Sequence, residues 1–200
     1  YQEIIESEPE NAETVKQFAA KMGTSLKRME QLILSMLKIT RLDTGNIIFE
    51  KKSCRVSELI AHSVNELTAR AKNENKQIQI DGDGEQKLIC DMEWTGEAIG
   101  NIVKNALDHT QVGGIVRITW NRTPAMFQIF ISDNGSGIAP EDIHHIFKRF
   151  YRSKHSIDTQ GIGLGLPLAK SIIEGQGGVI SVQSESGKGT LFTLSFLTEL

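Results

Sequence analysis

The chain is poor in cysteine. Its 200 residues include only Cys54 and Cys90, and neither sits in a CxxC or Cys/His cluster. That argues against a disulfide framework and reads as two buried free thiols in a reducing compartment. It also lacks an excess of either charge. Lys and Arg number 22 and Asp and Glu 25, leaving a net charge of −3. Such a balance gives no footing for nucleic acid or an anionic membrane surface, so no nucleic-acid partner is expected. No apolar run is long enough to span a bilayer, and no secretory signal is visible. Aromatic residues make up 6%, and both tryptophans, Trp94 and Trp120, read as packing residues. The apolar fraction is 39%, enough for a sizeable core in one domain with an appended element. The chain opens at Tyr1 rather than Met and so reads as a piece of a longer protein, with an upstream membrane segment left open.

A helix is predicted from about Asn11 to Asp43. Val15, Met22, Met29 and Met36 recur every seven residues, with Phe18, Leu32 and Ile39 three positions on. Ala19, Leu26 and Ile33 widen the seam, which suits a helical bundle better than a two-stranded zipper. Pro9 cannot continue the helix interior, and Gly45 is a natural stop. The preceding residues are too few to cover this face, so an intermolecular bundle is expected. A second helix is predicted from about Val56 to Asn75. Strands follow at Gln77–Asp81 and Lys87–Asp91, joined by a Gly/Asp turn. A helix over Met92–His109 leads to strands at Ile115–Asn121 and Met126–Asp133. A short amphipathic helix after Pro140 carries Ile143, Ile146, Phe147 and Phe150. A helix from about Leu164 to Gly175 and two closing strands, Val179–Ser184 and Thr190–Leu197, complete the pattern. The fold class is α+β: a two-layer sandwich of helices on one face of a mixed sheet, preceded by a long bundle-forming helix.

Chemistry concentrates in four places. Ile99, Ile102, Val103 and Ala106 mark the packing side of one helix, while Asn101 and Asn105, four apart, stack on another face. Asn is a poor choice for a solvated helix surface, so these amide oxygens point at something, or else bond nearby backbone. Mg²⁺ takes hard oxygen ligands and often uses one protein ligand beside phosphates and water. Asp133-Asn-Gly-Ser-Gly137 ends a strand. A carboxylate there can accept from an exocyclic amine, although Asp-Asn-Gly is also ordinary turn chemistry. Gly161-Ile-Gly-Leu-Gly165-Leu166-Pro167 opens a helix whose free N–H groups make an anion site. It is neither a P-loop nor the dinucleotide fingerprint. Lys148, Arg149, Arg152 and Lys154 precede a polar, aperiodic stretch, Ser153–Gln160, that reads as a lid whose cations meet phosphate. Gly187-Lys-Gly-Thr190 alone is a hairpin turn. No piece is specific by itself; the ordered set points to an ATP site.

Together these boxes resemble the catalytic domain of bacterial sensor histidine kinases. Asn101–Thr110 resembles the N box, Asp133–Gly137 the G1 box and Phe147–Arg152 the F box. Gly161–Leu166 resembles the G2 box and Gly187–Thr190 the terminal glycine motif. The helix ending Ile39-Thr-Arg-Leu-Asp-Thr-Gly45 resembles the second helix of the dimerisation and histidine-phosphotransfer bundle. The resemblance implies residues 1–45 as the end of that bundle and 46–200 as an ATP-binding domain of the Bergerat type. It implies ATP and Mg²⁺ as cofactors, with Asn105 carrying the metal and Asp133 reading the adenine amine. It implies Asn101 near the phosphates and His109 against the base. It places Gly135, Gly137, Gly161, Gly163, Leu164, Gly165, Leu166 and Thr190 around the nucleotide, with Arg149 and Arg152 as phosphate contacts. Asp108 departs from the family's pattern, where many members carry a basic residue near the phosphates.

The implied activity is transfer of the γ-phosphoryl group to a histidine of the bundle, then onward to an aspartate of a response regulator. Asn101 and Asn105 are the catalytic pair, and the helical stalk forms a homodimer. The implied location is cytoplasmic, with the parent in the plasma membrane. None of His62, His109, His144, His145 and His155 has the family's phosphoacceptor context, so the acceptor is expected before Tyr1. His144-His145 reads as a solvated helix pair. Gyrase-like ATPases, which share this fold, place a water-activating Glu where Asn101 stands. A neutral amide cannot take a proton, and that favours transfer over hydrolysis. The alternative is a non-catalytic ATP-binding module that signals through its stalk.

Overall fold

The computed structural model describes residues 12–153 and 161–198. The chain divides into two compact units, Tyr1–Lys38 and Ile39–Leu200. Helix α1 (Ala12–Asp43) supplies the described part of the first and runs on into the second. Its last turns belong to the second unit through Ile39, which is buried. There Leu42 approaches Gly175 alongside the Phe49 ring.

The second unit contains β1 (Lys52–Arg55), α2 (Val56–Asn73), β2 (Gln77–Asp81), β3 (Lys87–Cys90) and α3 (Met92–His109). It continues with β4 (Ile115–Arg122), β5 (Met126–Asp133), a single-turn α4 (Pro140–Ile143), α5 (Gly165–Gly175), β6 (Val179–Glu185) and β7 (Gly189–Leu197). Five strands form a sheet in the order β2-β4-β5-β7-β6. β2 and β4 are parallel and the other pairs antiparallel, so the sheet is mixed.

One face of this sheet builds the core. Side chains alternate across a strand, so Val116, Ile118 and Trp120 of β4 point the same way. Phe127, Ile129 and Ile131 of β5 join them, with Phe192, Leu194 and Phe196 of β7, and all nine are buried. The register sets Ile118 against Ile131, Phe127 against Phe196 and Ile129 against Leu194. Onto this face the helices bring their own apolar stripes. These are Leu59, Ile60 and Val64 from α2; Ile99, Ile102, Val103 and Ala106 from α3; and Leu168, Ile172 and Ile173 from α5, all buried. α3 is the central helix and packs on both α2 and α5.

Three features differ from the sequence pattern. The strand β1 carries no alternating apolar signal and forms because it pairs antiparallel with β3. β2 and β3, although joined by a turn, belong to different sheets. The amphipathic stretch after Pro140 is helical only to Ile143 and then continues as turns, ending at Phe150 with φ +61°.

Candidate nucleotide-binding site

The central helix positions the asparagine stripe. Its start is fixed by Asp91, whose carboxylate accepts from the Trp94 N–H at 3.2 Å, a side-chain N-cap. Its end is closed by Thr110, whose hydroxyl donates to the Ala106 carbonyl at 2.6 Å. With Ile102, Val103 and Ala106 turned into the core, Asn105 and His109 are left half-buried on the side that lines a cavity of about 440 Å³.

Asp133, the last residue of β5, enters the same cavity. Its carboxylate accepts from the Gly135 N–H at 2.8 Å. Burial pushes its pKa above the ordinary carboxylate value, opposed by the Gly135 and Thr190 N–H groups and by the nearby His109 ring. A carboxylate partly stripped of water, with acceptor capacity to spare, is suited to a ligand amine.

The loop after Asp133 threads between α3 and the β6–β7 hairpin. Ser136 N–H donates to the His109 carbonyl at 3.1 Å, and the Gly187 N–H donates to the Ser136 carbonyl at 2.7 Å. Both glycines of the loop are sterically required. A Cβ on Gly135 would lie 2.3 Å from the His109 carbonyl oxygen, and one on Gly137, at φ +67°, 2.1 Å from that of Glu185.

The far wall comes from the segment that flanks residues 154–160. Phe150 and Gly163 both have positive φ, and the Phe150 N–H donates to the Gly163 carbonyl at 2.9 Å. Left-handed backbone at a non-glycine residue is strained and persists only where surrounding structure holds it. Tyr151, beside Phe150, lines the cavity and donates its hydroxyl to the buried Asp142.

The structure therefore brings together Asn105, His109, Asp133, Gly137, Arg152, Gly161, Gly163, Leu166 and Thr190. Five sequence-predicted residues are not among the lining. Gly135 sits behind it, bonded to Asp133. Leu164 is buried in the core, and Gly165 starts α5 against Asn101, whose Oδ1 would be 3.1 Å from a Cβ there. The Asn101 amide donates back to the Glu97 carbonyl at 3.0 Å, so this residue supports the glycine turn from beneath. Arg149 is paired with Asp43 at the end of α1. The lid expected over Ser153–Gln160 lies, beyond Ser153, outside the described residues.

Asp108 also resolves differently from the family's pattern. It pairs with Arg70 of α2 at 2.5 Å, in a network with Glu74 and Lys76. Its charge is neutralised there, and it is not among the cavity residues. His145 is no solvated residue: it is half-buried and its ring meets Tyr151 with centroids 5.3 Å apart. Sequence reasoning missed Ser136, Ile138, Ala139, Asp142, Ile146, Tyr151, Ser153 and Ser186 as cavity residues. Ser136 and Ser186 lie inside or beside the glycine boxes, which was the available signal. Asp142 and Tyr151 gave none, because only folding shows them paired.

Among the described residues no group of three His, Cys, Asp or Glu side chains is placed to hold a metal, and no helix is long and apolar enough to cross a membrane.

Known proteins bear on this geometry. Residues 90–200 match the family model described as histidine kinase-, DNA gyrase B-, and HSP90-like ATPase. The sensor-like histidine kinase SenX3 of Mycobacterium tuberculosis is 28% identical over 195 residues, covering 96% of this chain and 48% of the relative. The sensor protein SrrB of Staphylococcus aureus is 29% identical over 192 residues, covering 95% of this chain and 32% of the relative. The chain thus spans about a third to about half of the length of these curated relatives. Among solved structures, the mycobacterial sensor histidine kinase MprB superposes with a TM-score of 0.65 at 25% identity, over 74% of this chain and 97% of that one. Full-length ShkA in complex with AMPPNP gives 0.79 at 22% identity, over 92% and 39%. Histidine kinase ThkA in complex with the response regulator TrrA gives 0.74 at 21%, over 94% and 53%.

Proposed function

As this chain belongs to the histidine kinase-, DNA gyrase B- and HSP90-like ATPase family, we propose that it binds Mg-ATP in the α3–β5 cavity and serves as the phosphoryl-donating part of a sensor histidine kinase. The observation that carries this reading is the convergence of Asn105, Asp133, Gly137, Gly161, Gly163 and Thr190, drawn from four separate sequence boxes, on one cavity. The Asp133 carboxylate fits an adenine amine, and the glycine backbone fits phosphate oxygens.

The residues present also fit magnesium in the form it takes beside a nucleotide. Asn105 would supply one amide oxygen; the described residues hold no group of three acidic, His or Cys side chains that could add to it, so phosphates and water would complete the shell. Bound Mg²⁺ would neutralise charge on the transferred phosphoryl group. The protein's own share is positioning. Asp133 and His109 fix the base, the backbone at Gly161 and Gly163 holds the phosphates, and Arg152 brings positive charge to the same cavity. Asn101 acts from behind, setting the turn at Gly165.

The neutral amides of Asn101 and Asn105 cannot activate water, which favours transfer to an imidazole nitrogen over hydrolysis. In this reading residues 1–45 end the dimerisation and phosphotransfer bundle, and 46–200 form the ATP-binding domain. The acceptor histidine stands elsewhere in the bundle, two copies meet through the stalk, and the phosphoryl group passes to the receiver domain of a response regulator. The chain works on the cytoplasmic side of a membrane that holds its parent.

Incubating the chain with labelled ATP and a bundle fragment that contains the acceptor histidine tests the reading. It predicts an acid-labile, base-stable phosphoprotein. Nucleotide binding without any transfer would leave an ATP-binding signalling module, and rapid phosphate release by the chain alone would make it an ATPase. In calorimetry Asn105→Ala abolishes the magnesium-dependent part of ATP affinity while the thermal transition stays cooperative. Magnesium enhancement that survives in this variant would move the metal site to another residue.

A further inference from the structure

Outside the nucleotide cavity, the two cysteines meet. Cys54 lies on β1 and Cys90 ends β3, and the antiparallel register pairs Cys54 with Leu88 and Cys90 with Lys52. The cysteines are therefore diagonal neighbours on one face of the ribbon, and their Sγ atoms lie 3.5 Å apart as free thiols. We propose that Cys54 and Cys90 form a peroxide-responsive dithiol–disulfide couple that staples β1 to β3 and loosens the start of α3.

The two thiols are not equivalent. Cys54 is partly exposed and Cys90 is only 1% exposed. The contact with Cys90 draws the Cys54 thiol below its ordinary pKa against the effect of partial burial. The same contact, with burial, pushes Cys90 up. Thiolate character and access thus fall on Cys54, which makes it the attacking sulfur, with Cys90 the resolving one. The oxidant is a hydroperoxide. The Cys54 sulfur attacks one peroxide oxygen, the O–O bond breaks, and hydroxide leaves and takes up a proton as water. The Cys90 sulfur then displaces the sulfenic hydroxyl. An S–S bond forms as the S–O bond breaks, and the hydroxyl leaves with the Cys90 proton as a second water. Two thiols lose two electrons and two protons, and hydrogen peroxide becomes two waters. The sulfurs need only close from 3.5 Å to a bond of about 2 Å. β1 is short and pairs with β3 alone, so it can follow.

What this strain reaches is specific. The Thr95 side chain favours ionisation of the Cys90 thiol, and Cys90 precedes Asp91, the N-cap of α3. Asp91 also accepts from the Glu50 N–H at 2.9 Å, and its own N–H donates to the Gln176 side chain at 2.8 Å. Gln176, at the end of α5, donates in turn to the Thr95 hydroxyl at 3.0 Å. Pulling Cys90 towards β1 disturbs this knot, and with it the helix that carries Asn105.

Hydrogen peroxide added to the intact chain tests the proposal by mass spectrometry. The expected product has lost two hydrogens, resists alkylation at both cysteines, and recovers with dithiothreitol. Cys90→Ser stops at a dimedone-trapped sulfenic acid on Cys54, and Cys54→Ser is inert. Hydrogen exchange at the Trp94 and Thr95 amides should speed up about fivefold in the oxidised chain. Thiols that stay alkylatable after peroxide overturn the couple, and unchanged exchange overturns its link to α3. Resting on the ATP-binding reading, oxidation should also weaken ATP affinity by a similar factor. If neither form binds ATP, that reading fails while the mass and exchange results still judge the couple.

Discussion

Asp133 is asked to do two things that oppose each other. A buried carboxylate is a good reader of an amine and a poor neighbour for a hydrophobic sheet end. Its folded-state pKa is raised above the ordinary 3.8 by burial, so the sign of its effect on stability can be worked out. Below 3.8 the group is protonated in both folded and unfolded chains and costs nothing. As pH rises the unfolded chain ionises first, and the folded state loses stability until pH passes the raised folded pKa. In Asp133→Asn this dependence is absent. The stability difference, wild type minus variant, should therefore fall as pH rises above about 3.8 and level off once pH passes the raised folded pKa. Urea titrations at several pH values measure it, and a difference that is flat or grows with pH would contradict the desolvated carboxyl. The same variant should bind ATP at least about tenfold more weakly, a loss of roughly 1.4 kcal/mol, because an amide presents a donor where the base already has one. Stability that falls with rising pH and adenine recognition thus come from one half-buried oxygen pair.

At the scale of elements, much turns on how α3 begins. Asp91 is 8% exposed and accepts two backbone N–H groups, from Trp94 at the helix start and from Glu50 in the segment before β1. Asp91→Ala leaves both without that partner. A lost N-cap alone costs about 1 kcal/mol, and the second stranded donor raises the expectation to about 2 kcal/mol. Thermal unfolding reads this directly, and a loss below about 0.5 kcal/mol would show that water replaces the carboxylate. This helix was also the most legible element. Its apolar period lies within the sequence and the predicted span Met92–His109 is the observed one, although Asp91, read there as a strand end, proves to be its cap. β1 was illegible for the opposite reason. Lys52-Ser-Cys-Arg55 has no pattern of its own and becomes a strand only by pairing with β3. In the site, the glycine boxes and Asp133 could be read because their chemistry is local. Asp142 and Tyr151 could not, since they meet only after the chain turns at Phe150. Arg149, expected as a phosphate contact, is paired with Asp43, a partner that sequence spacing does not show.

For the molecule as a whole, α1 sets the remaining question. Leu26, Met29, Ile33, Leu34 and Leu37 are each more than half exposed along it. An apolar stripe this long is unfavourable in water, and the spacing that produced it is that of a bundle seam. A second copy of the chain is the occupant that matches, since the same stripe on both helices makes an isologous contact. The expected behaviour is a monomer–dimer equilibrium in the micromolar range, read by sedimentation. Leu26→Glu with Ile33→Glu should shift it to monomer, because each places an unpaired charge in the seam. The core of Ile39–Leu200 is built without these two side chains, so ATP affinity should stay within about twofold of the parent chain. A dimer that persists in the double variant would put the interface on another surface. A monomer whose ATP affinity collapses would mean that the nucleotide site depends on pairing.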